Sequence, residues 1–431
     1  MSPTLTLPTA AEFGRNLVDG RRRFPAAPYE YEIRNPADST ITTVVPLSSR
    51  LDVARAVDAA TRAAPGWAAD RDRRTESLRR LAEALAHLAP ELGALQATET
   101  GLDAADSRRA ATGLGLLAGH LAGSVPERAS GVSGHVLSWG LPLAEVVAAV
   151  LPQLAAGRTA VVAPSLRAPL SAVAVGHLAT ELGFPPGVLN VVQGTGEDVG
   201  AALCGTRGLA LLHVRGGART IAQAGRATST TGVPLRVLRG GGNVAVAGPD
   251  ADVAALAAAV ADATRVHATG GPLGLPTLAV HATVADDVTG AVVAGLREVR
   301  PAPLPTETLR RRALDRLTLL RAEGLDPVLS DPLPDDVHHR MGWFMPAAVF
   351  RGVTAGEPAG PVVTIRTWSR PGDIAALFPE ANHRDGIATL WGTEEVDAAL
   401  PHSLVVHECG PAEVLGGGRL QAAWTTAGRP R

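Results

Sequence analysis

The sequence predicts an α/β protein of two lobes, each built on a largely parallel sheet. From residue 134 onward, short apolar runs alternate with helix-like segments, the pattern of βαβ units. A second series of the same kind runs from Val233 to about Leu400. The chain has 431 residues, more than one small core organises. Its composition, 46% hydrophobic and 19% charged, is that of a folded chain rather than a disordered one.

The elements follow in order. Residues 29–46 alternate apolar and polar around a turn at Asn35-Pro-Ala-Asp38, which predicts a hairpin. Ser48 to Ala64 reads as an amphipathic helix capped by Ser49 or Asp52, with Val53, Ala56, Val57 and Ala60 on one face. Arg74 to Thr100 carries Leu78, Leu81, Leu85, Leu88, Leu92 and Leu95 at helical spacing and predicts one longer helix. Strands are expected at 157–163, 185–192 and 209–214, with helices at 171–182 and near 198–204. In the second series, 276–281 and 361–366 read as strands. Residues 299–337, rich in Pro, Arg and Asp, read as surface connections. Ligands in such folds sit at strand C-termini, so a cleft between the lobes is the expected site.

Composition removes several function classes. A net charge of −2 favours neither nucleic acid nor an acidic membrane as partner. All forty basic residues are arginine, so no side-chain Schiff base and no lysine clamp on phosphate or ribose is available. Two cysteines, Cys204 and Cys409, make no disulfide framework and no zinc cluster, so no metal is expected and a reducing cytoplasm fits. The first residues lack a basic start followed by an apolar run, so no signal peptide is expected. The most apolar stretch, Leu143 to Val162, is broken by Pro152, Gln153, Gly157 and Arg158, and reads as a buried helix and strand.

Single residues carry two readings each. Gly194-Thr-Gly196 and Gly216-Gly217 suit a phosphate cradle or ordinary turns. His213 and His267 suit the cleft or the core. Cys204 reads as a small core residue. Cys409 shares a strand face with His407, which pairs a thiol with a base or simply packs.

Several segments, taken in order, resemble the aldehyde dehydrogenase superfamily: Arg34-Asn-Pro-Ala37, Leu154 to Pro164, Gly183 to Gly194, Gly240-Gly-Gly-Asn243 with Asp250-Ala-Asp252, Gly342-Trp-Phe-Met-Pro346, Glu357 to Val362, and Asn382 to Trp391. The likeness spans roughly residues 30 to 400. It implies two Rossmann-like α/β lobes: a cofactor-binding-like lobe at 1–235, a catalytic-like lobe at 236–400, and a segment at 401–431 returning to the first lobe. Compression between Ala122 and Ser138 implies a reduced oligomerisation region, so a protein partner or self-association altered from the family dimer is expected.

The resemblance also implies a chemistry that this chain lacks. The family uses a cysteine thiolate to attack the aldehyde, a glutamate base to activate water, and an asparagine to hold the oxyanion. Those positions fall on Gly271, Leu238 and Gly140. The remodelled cleft would then offer Trp139, His267 and Thr269. On the cofactor side, the ribose lysine falls at Ala163 and the acidic residue after it at Leu166. The pyrophosphate turn becomes Val214-Arg-Gly-Gly-Ala218, leaving Arg215, Arg219, Gly216 and Gly217 as candidate phosphate contacts, and Glu357 remains for the nicotinamide ribose. No cofactor is therefore expected, although the family's own is NAD(P). The readings are a pseudoenzyme that binds a partner, a repurposed enzyme of bacterial specialised metabolism using the old tunnel for a non-redox step, and a residual dehydrogenase using Cys409.

Overall fold

Asn16–Val18 (β1) and Arg21–Arg23 (β2), preceded by Ala10–Phe13 (α1), form a two-residue hairpin in the computed structural model. The structure describes residues 5–123, 129–239, 243–267, 274–325, 327–352, 360–377, 387–393 and 404–407. Asp19 and Gly20 close this hairpin at φ of 58° and 66°, the left-handed pair that a two-residue turn requires. A second hairpin pairs Glu30–Arg34 (β3) with Ile41–Pro46 (β4), as the alternation predicts. Arg50–Ala69 (α2) follows with Ser49 and Asp52 forming a capping box, and it runs through Pro65 to end five residues beyond the expected Ala64.

The long helix expected over 74–100 is two helices, Arg71–His87 (α3) and Ala89–Thr100 (α4). Leu88 breaks it because Pro90 has no N–H to continue the ladder and suits the first turn of a new helix. Ala104–Gly123 (α5) completes a helical layer that the sequence reading left unassigned.

The βαβ series then appears: Val132–Val136 (β5), Pro142–Ala149 (α6), Leu151–Ala156 (α7), Thr159–Ala163 (β6), Leu170–Glu181 (α8) and Leu189–Val191 (β7). A π-turn at Gly196–Gly200 leads to Ala201–Cys204 (α9), Leu211–Gly216 (β8), Ala218–Thr231 (α10) and Leu235–Arg239 (β9). The sheet order is β2-β1-β7-β6-β5-β8-β9, with parallel pairing from β7 through β6 and β5 to β8 and an antiparallel addition by β1 and β2. The core strands are buried along their whole length, which is why they read as continuous apolar runs rather than alternating ones. One face packs on α2, α9 and α10 through Val53, Ala56, Val161, Leu203, Val214 and Ala224.

This first unit comprises residues 1–35 and 40–237, and the second comprises 36–39 and 238–431, so the boundary falls two residues beyond the expected 235. The second unit contains Val244–Ala247 (β10), Val253–His267 (α11), Thr277–His281 (β11), Ala285–Arg297 (α12), Ala302–Pro303 (β12), Glu307–Ala322 (α13), Pro327–Leu329 (β13), Val337–Met341 (α14), Phe344–Met345 (β14), Ala348–Arg351 (β15), Val362–Trp368 (β16), Ile374–Leu377 (α15), Ile387–Trp391 (β17) and Leu404–His407 (β18). Its sheet runs β13-β15-β16-β11-β10-β17-β18, parallel except at the β13 edge.

One expectation is corrected here. Residues 299–337 hold α13, whose Ala313, Leu317 and Leu320 are buried at helical spacing. Of the segment 401–431 the structure describes β18, which adds in parallel to β17 of the second sheet; the expected return to the first lobe lies outside the described residues. Among the described residues no helix is long and apolar enough to cross a membrane.

Candidate functional site

The C-terminal ends of β5, β6 and β8 are where this kind of sheet receives ligands. After β5 the chain passes through Ser138, Trp139 and Gly140 into α6. After β6 it passes through Pro164 and Ser165 into α8, and after β8 through Gly217 into α10. Each of these helices begins with backbone N–H groups that lack intrahelical partners.

Two of the three N-termini are engaged by side chains from α4. Gln96 Oε1 accepts from Leu143 N at 3.3 Å, at the start of α6. Glu99 accepts from Leu170 N at 2.6 Å, Ser171 N at 3.0 Å and the Ser171 hydroxyl at 2.5 Å, at the start of α8. The N-terminus of α10 differs: Gly217 is its N-cap, no side chain caps it, and a Cβ built on Gly217 would meet nothing within 4 Å. That end has room for an anion to approach a helix N-terminus. Gly216 is tighter, since its Cβ would lie 3.1 Å from the Thr220 side chain. Gly194 is a packing residue, because a Cβ there would press into Val199 and the Ser48 backbone.

The expected phosphate contact at Arg215 is corrected by its burial. Its side chain is 3% exposed and pairs with Glu145 at 3.1 Å, and the Glu145 side chain is fully buried. Glu145 also accepts from the Ser138 hydroxyl at 2.8 Å and from Ser138 N at 3.3 Å. Arg215 therefore turns inward and anchors the loop that enters α6. An arginine held by a buried carboxylate is not spare charge for a phosphate. Arg219 is 80% exposed and meets Glu197 at 3.3 Å on the surface.

The polar ladder continues down the sheet. His135 on β5 lies beside His213 on β8, with ring centroids 5.8 Å apart. The Ser133 hydroxyl donates to Thr159 O at 2.9 Å, so it must accept from His135 Nε2–H, also at 2.9 Å. Among the described residues His135 Nδ1 has no hydrogen-bond partner. Burial and the nearby Arg215 charge push His135 down to about 3 and hold His213 well below the usual imidazole range. Both rings are neutral core histidines.

Glu99 moves the other way. Burial raises it to about 7, against the lowering by its bonds to Ser171 and Leu170. These shifts predict opposite stability trends. Folding holds both histidines below their unfolded pKa, so the stability they allow is lost as pH falls below about 6.5, for His135 until about 3. Glu99 is held above its unfolded value, so stability is lost as pH rises from about 4.5 to 7. Each group contributes a slope of up to about 1.4 kcal/mol per pH unit in its window. With two histidines against one glutamate, the melting temperature should rise from pH 5 to 6.5 and then level or fall slightly. His135→Phe keeps a ring beside His213 and should roughly halve the acid-side loss. An unchanged acid limb would show that these histidines do not set it.

The remaining candidates divide by location. Gly140 is buried and Trp139 is half-buried in the β5–α6 loop, and Ala163 is buried at the end of β6. Leu238 lies on β9 and His267 ends α11, with their side chains outside the described set; Thr269, Gly271, Glu357 and Cys409 lie outside the described residues altogether. Cys204 is buried, and burial pushes its thiol up to about 11, which suits a core residue. Among the described residues no group of His, Cys, Asp and Glu could hold a metal ion. Sequence reading missed Glu145, although a lone carboxylate inside the apolar run Leu143–Val150 is itself a sign of a buried partner.

Residues 25–384 match the aldehyde dehydrogenase family, and the chain belongs to it. Among curated relatives, a 3,6-anhydro-α-L-galactose dehydrogenase of Streptomyces coelicolor is 27% identical over 94% of this chain and 91% of its own length. A hydroxyisobutyraldehyde dehydrogenase of Mycolicibacterium austroafricanum is 27% identical over 85% of this chain and 79% of its own. Among solved structures, betaine aldehyde dehydrogenase of Staphylococcus aureus in complex with NAD+ superimposes with a TM-score of 0.82 at 20% identity, covering 92% of this chain and 87% of that one. PnpE in complex with nicotinamide adenine dinucleotide gives 0.83 at 24% identity, covering 92% and 90%. These likenesses establish the two-sheet fold and show that its structural neighbours include NAD-bound enzymes.

Proposed function

We propose that this chain is a catalytically degenerate aldehyde dehydrogenase homologue, a pseudoenzyme that acts by binding a protein partner or a second copy rather than by oxidising aldehydes with NAD(P). What carries this reading is that the positions where the resemblance places the three reacting side chains hold glycine at 140 and 271 and leucine at 238. With no thiol at 271 no thiohemiacetal forms there, and with no base at 238 no water is activated from that position. The β5–α6 loop supports the reading, since its Ser138 is tied to a buried ion pair and Gly140 offers no side chain to an oxyanion. The test is spectrophotometric: purified protein with a panel of aldehydes and either NAD or NADP should form no reduced nicotinamide above the uncatalysed rate. Turnover abolished by Cys409→Ala would replace this reading with a displaced-nucleophile dehydrogenase.

NAD(P) is the cofactor class that the family implies, and the residues fit it in part. The bare N-terminus of α10 suits a pyrophosphate. Buried Ala163 supplies no donor for the adenosine ribose, and Arg215 is committed to Glu145. The missing ribose contact, a charge-assisted hydrogen bond worth about 1.5–3 kcal/mol, should weaken dinucleotide binding by about one to two powers of ten. Calorimetry should therefore detect no NAD binding at micromolar concentrations. Tight binding that is lost in Gly217→Val would instead favour the second reading, a repurposed enzyme that keeps the nucleotide end of the old site.

A further inference from the structure

His177 on α8 is where separate parts of the chain's beginning meet. Arg22 on β2 places its Nη2 at 2.6 Å from the imidazole Nδ1. A guanidinium only donates, so Nδ1 accepts and the ring proton sits on Nε2. That N–H donates to the backbone carbonyl of Thr6, in the stretch that precedes α1. Arg22 is itself fixed by Glu12 of α1, with Nε at 3.1 Å from the carboxylate and Nη1 at 3.0 Å from the Glu12 carbonyl. Glu12 in turn caps α1, accepting from Thr9 N at 2.7 Å. One half-buried imidazole therefore joins α8, β2 and the residues before α1. The far end of α1 is anchored separately, since the Phe13 carbonyl accepts from Gln193 Nε2 at 2.9 Å.

We propose that His177 is a pH-sensitive clasp, which holds residues 5–12 against α8 while its ring is neutral and lets them go when the ring takes a second proton. A proton on Nδ1 would set donor against donor and cation against cation at hydrogen-bond distance from Arg22. The ring relieves this by turning toward the water on its open side, and the same turn takes its Nε2–H away from Thr6. The other charges around the ring are Glu12 on α1 and Glu181 one turn further along α8, with Arg15 near Arg22. Both carboxylates and the Thr6 carbonyl favour the charged ring, but burial first and Arg22 second outweigh them and hold His177 below the usual imidazole range. A folded pKa below the unfolded one means that the closed clasp has its full advantage above pH about 6.5 and loses it as pH falls. His135 and His213 differ in being buried within the sheet, with no such way out to water. The Gln193 contact sets the limit of release at Phe13. This inference stands apart from the pseudoenzyme reading, since neither the reacting positions nor the cofactor positions enter it.

The test is limited proteolysis of the full chain by thermolysin at two pH values, about 7.5 and about 5.5, with cleavage between residues 6 and 13 read by mass spectrometry. His177→Gln is the reference, because an amide keeps an acceptor for Arg22 and a donor for Thr6 but does not titrate. Dividing by the rate of this variant at each pH removes the protease's own pH dependence. The ratio of unsubstituted to variant rate should rise by about three- to tenfold on going to the lower pH. Arg22→Met should shrink that rise, because it removes the cation that opposes protonation. The ring itself gives a reading that needs no variant to fold. In nitrogen-15 spectra of the unsubstituted chain, His177 should carry its proton on Nε2 at the higher pH and gain the second only below about 6.5. A flat ratio, a rise undiminished in Arg22→Met, or a His177 ring that is protonated on Nδ1 or already charged at the higher pH would each overturn the proposal.

Discussion

Glu145→Leu should destabilise the protein by about 3–5 kcal/mol, because it strands the buried Arg215 guanidinium without its carboxylate. The Ser138 hydroxyl and backbone N–H lose their acceptor at the same stroke. Glu145→Leu combined with Arg215→Met should recover most of the loss, since removing both charges of a buried pair is often neutral or stabilising. Urea unfolding of the two variants decides the matter. A single variant as stable as the parent would mean that water reaches the pair. A double variant as unstable as the single one would mean that the site needs polar groups for its shape. The comparison also bears on the β5–α6 loop, because the same carboxylate ties Ser138, two residues before Gly140.

Why this network escaped sequence reading is a matter of distance along the chain. Arg215 stands next to Gly216-Gly217 and looks like an anion contact by its neighbours, while its partner lies seventy residues earlier on α6. Local pattern assigns a residue to a strand but leaves open which face the side chain takes at the strand's end. Hydrophobic neighbours announce a core, whereas an isolated charge within such a run announces only that a partner exists somewhere. Glu99 and Gln96 were hidden for the same reason: both sit on a helix whose leucines suffice to explain it, and their work is done at the N-termini of α6 and α8.

The fold was more legible than the site, for a reason visible in its strands. β5, β6 and β8 are buried on both faces, so they stand out as short apolar runs, and the helices between them are long enough to show their own period. Legibility failed where one kind of residue masked another. In α13 the buried Ala313, Leu317 and Leu320 lie among arginines and acids that suggested a loop. Between α3 and α4 an unbroken leucine period concealed a helix boundary that Pro90 marks. The β1–β2 hairpin was passed over because its signal is confined to the Asp19-Gly20 turn and three arginines on an edge strand.

The triple variant Gly140→Asn, Leu238→Glu, Gly271→Cys supplies in one chain the side chains that the family's reaction uses, and it should still fail to oxidise aldehydes with NAD or NADP. Its expected shortfall against an active relative is several powers of ten, because catalytic groups that act as a unit contribute only when all are in register with bound cofactor. A cysteine at 271 would attack an aldehyde only if its thiol ionises, which needs a positive neighbour or a base close by. An asparagine at 140 would extend from a loop whose Ser138 is already bound to Glu145, fixing where that amide can point. Even with the chemistry restored, hydride needs an acceptor, and Ala163, where the resemblance places the ribose lysine, would leave the dinucleotide without one charged contact. Adding Ala163→Lys separates these causes. If the quadruple variant reduces NAD and the triple does not, the cofactor half limits the reaction and the reacting positions are intact. If both are inactive while the quadruple variant binds NAD by calorimetry, the reacting positions themselves are out of register. Oxidation by the triple variant alone would show that the chain still brings aldehyde and dinucleotide together, and the pseudoenzyme reading would give way to that of an enzyme disabled by three substitutions.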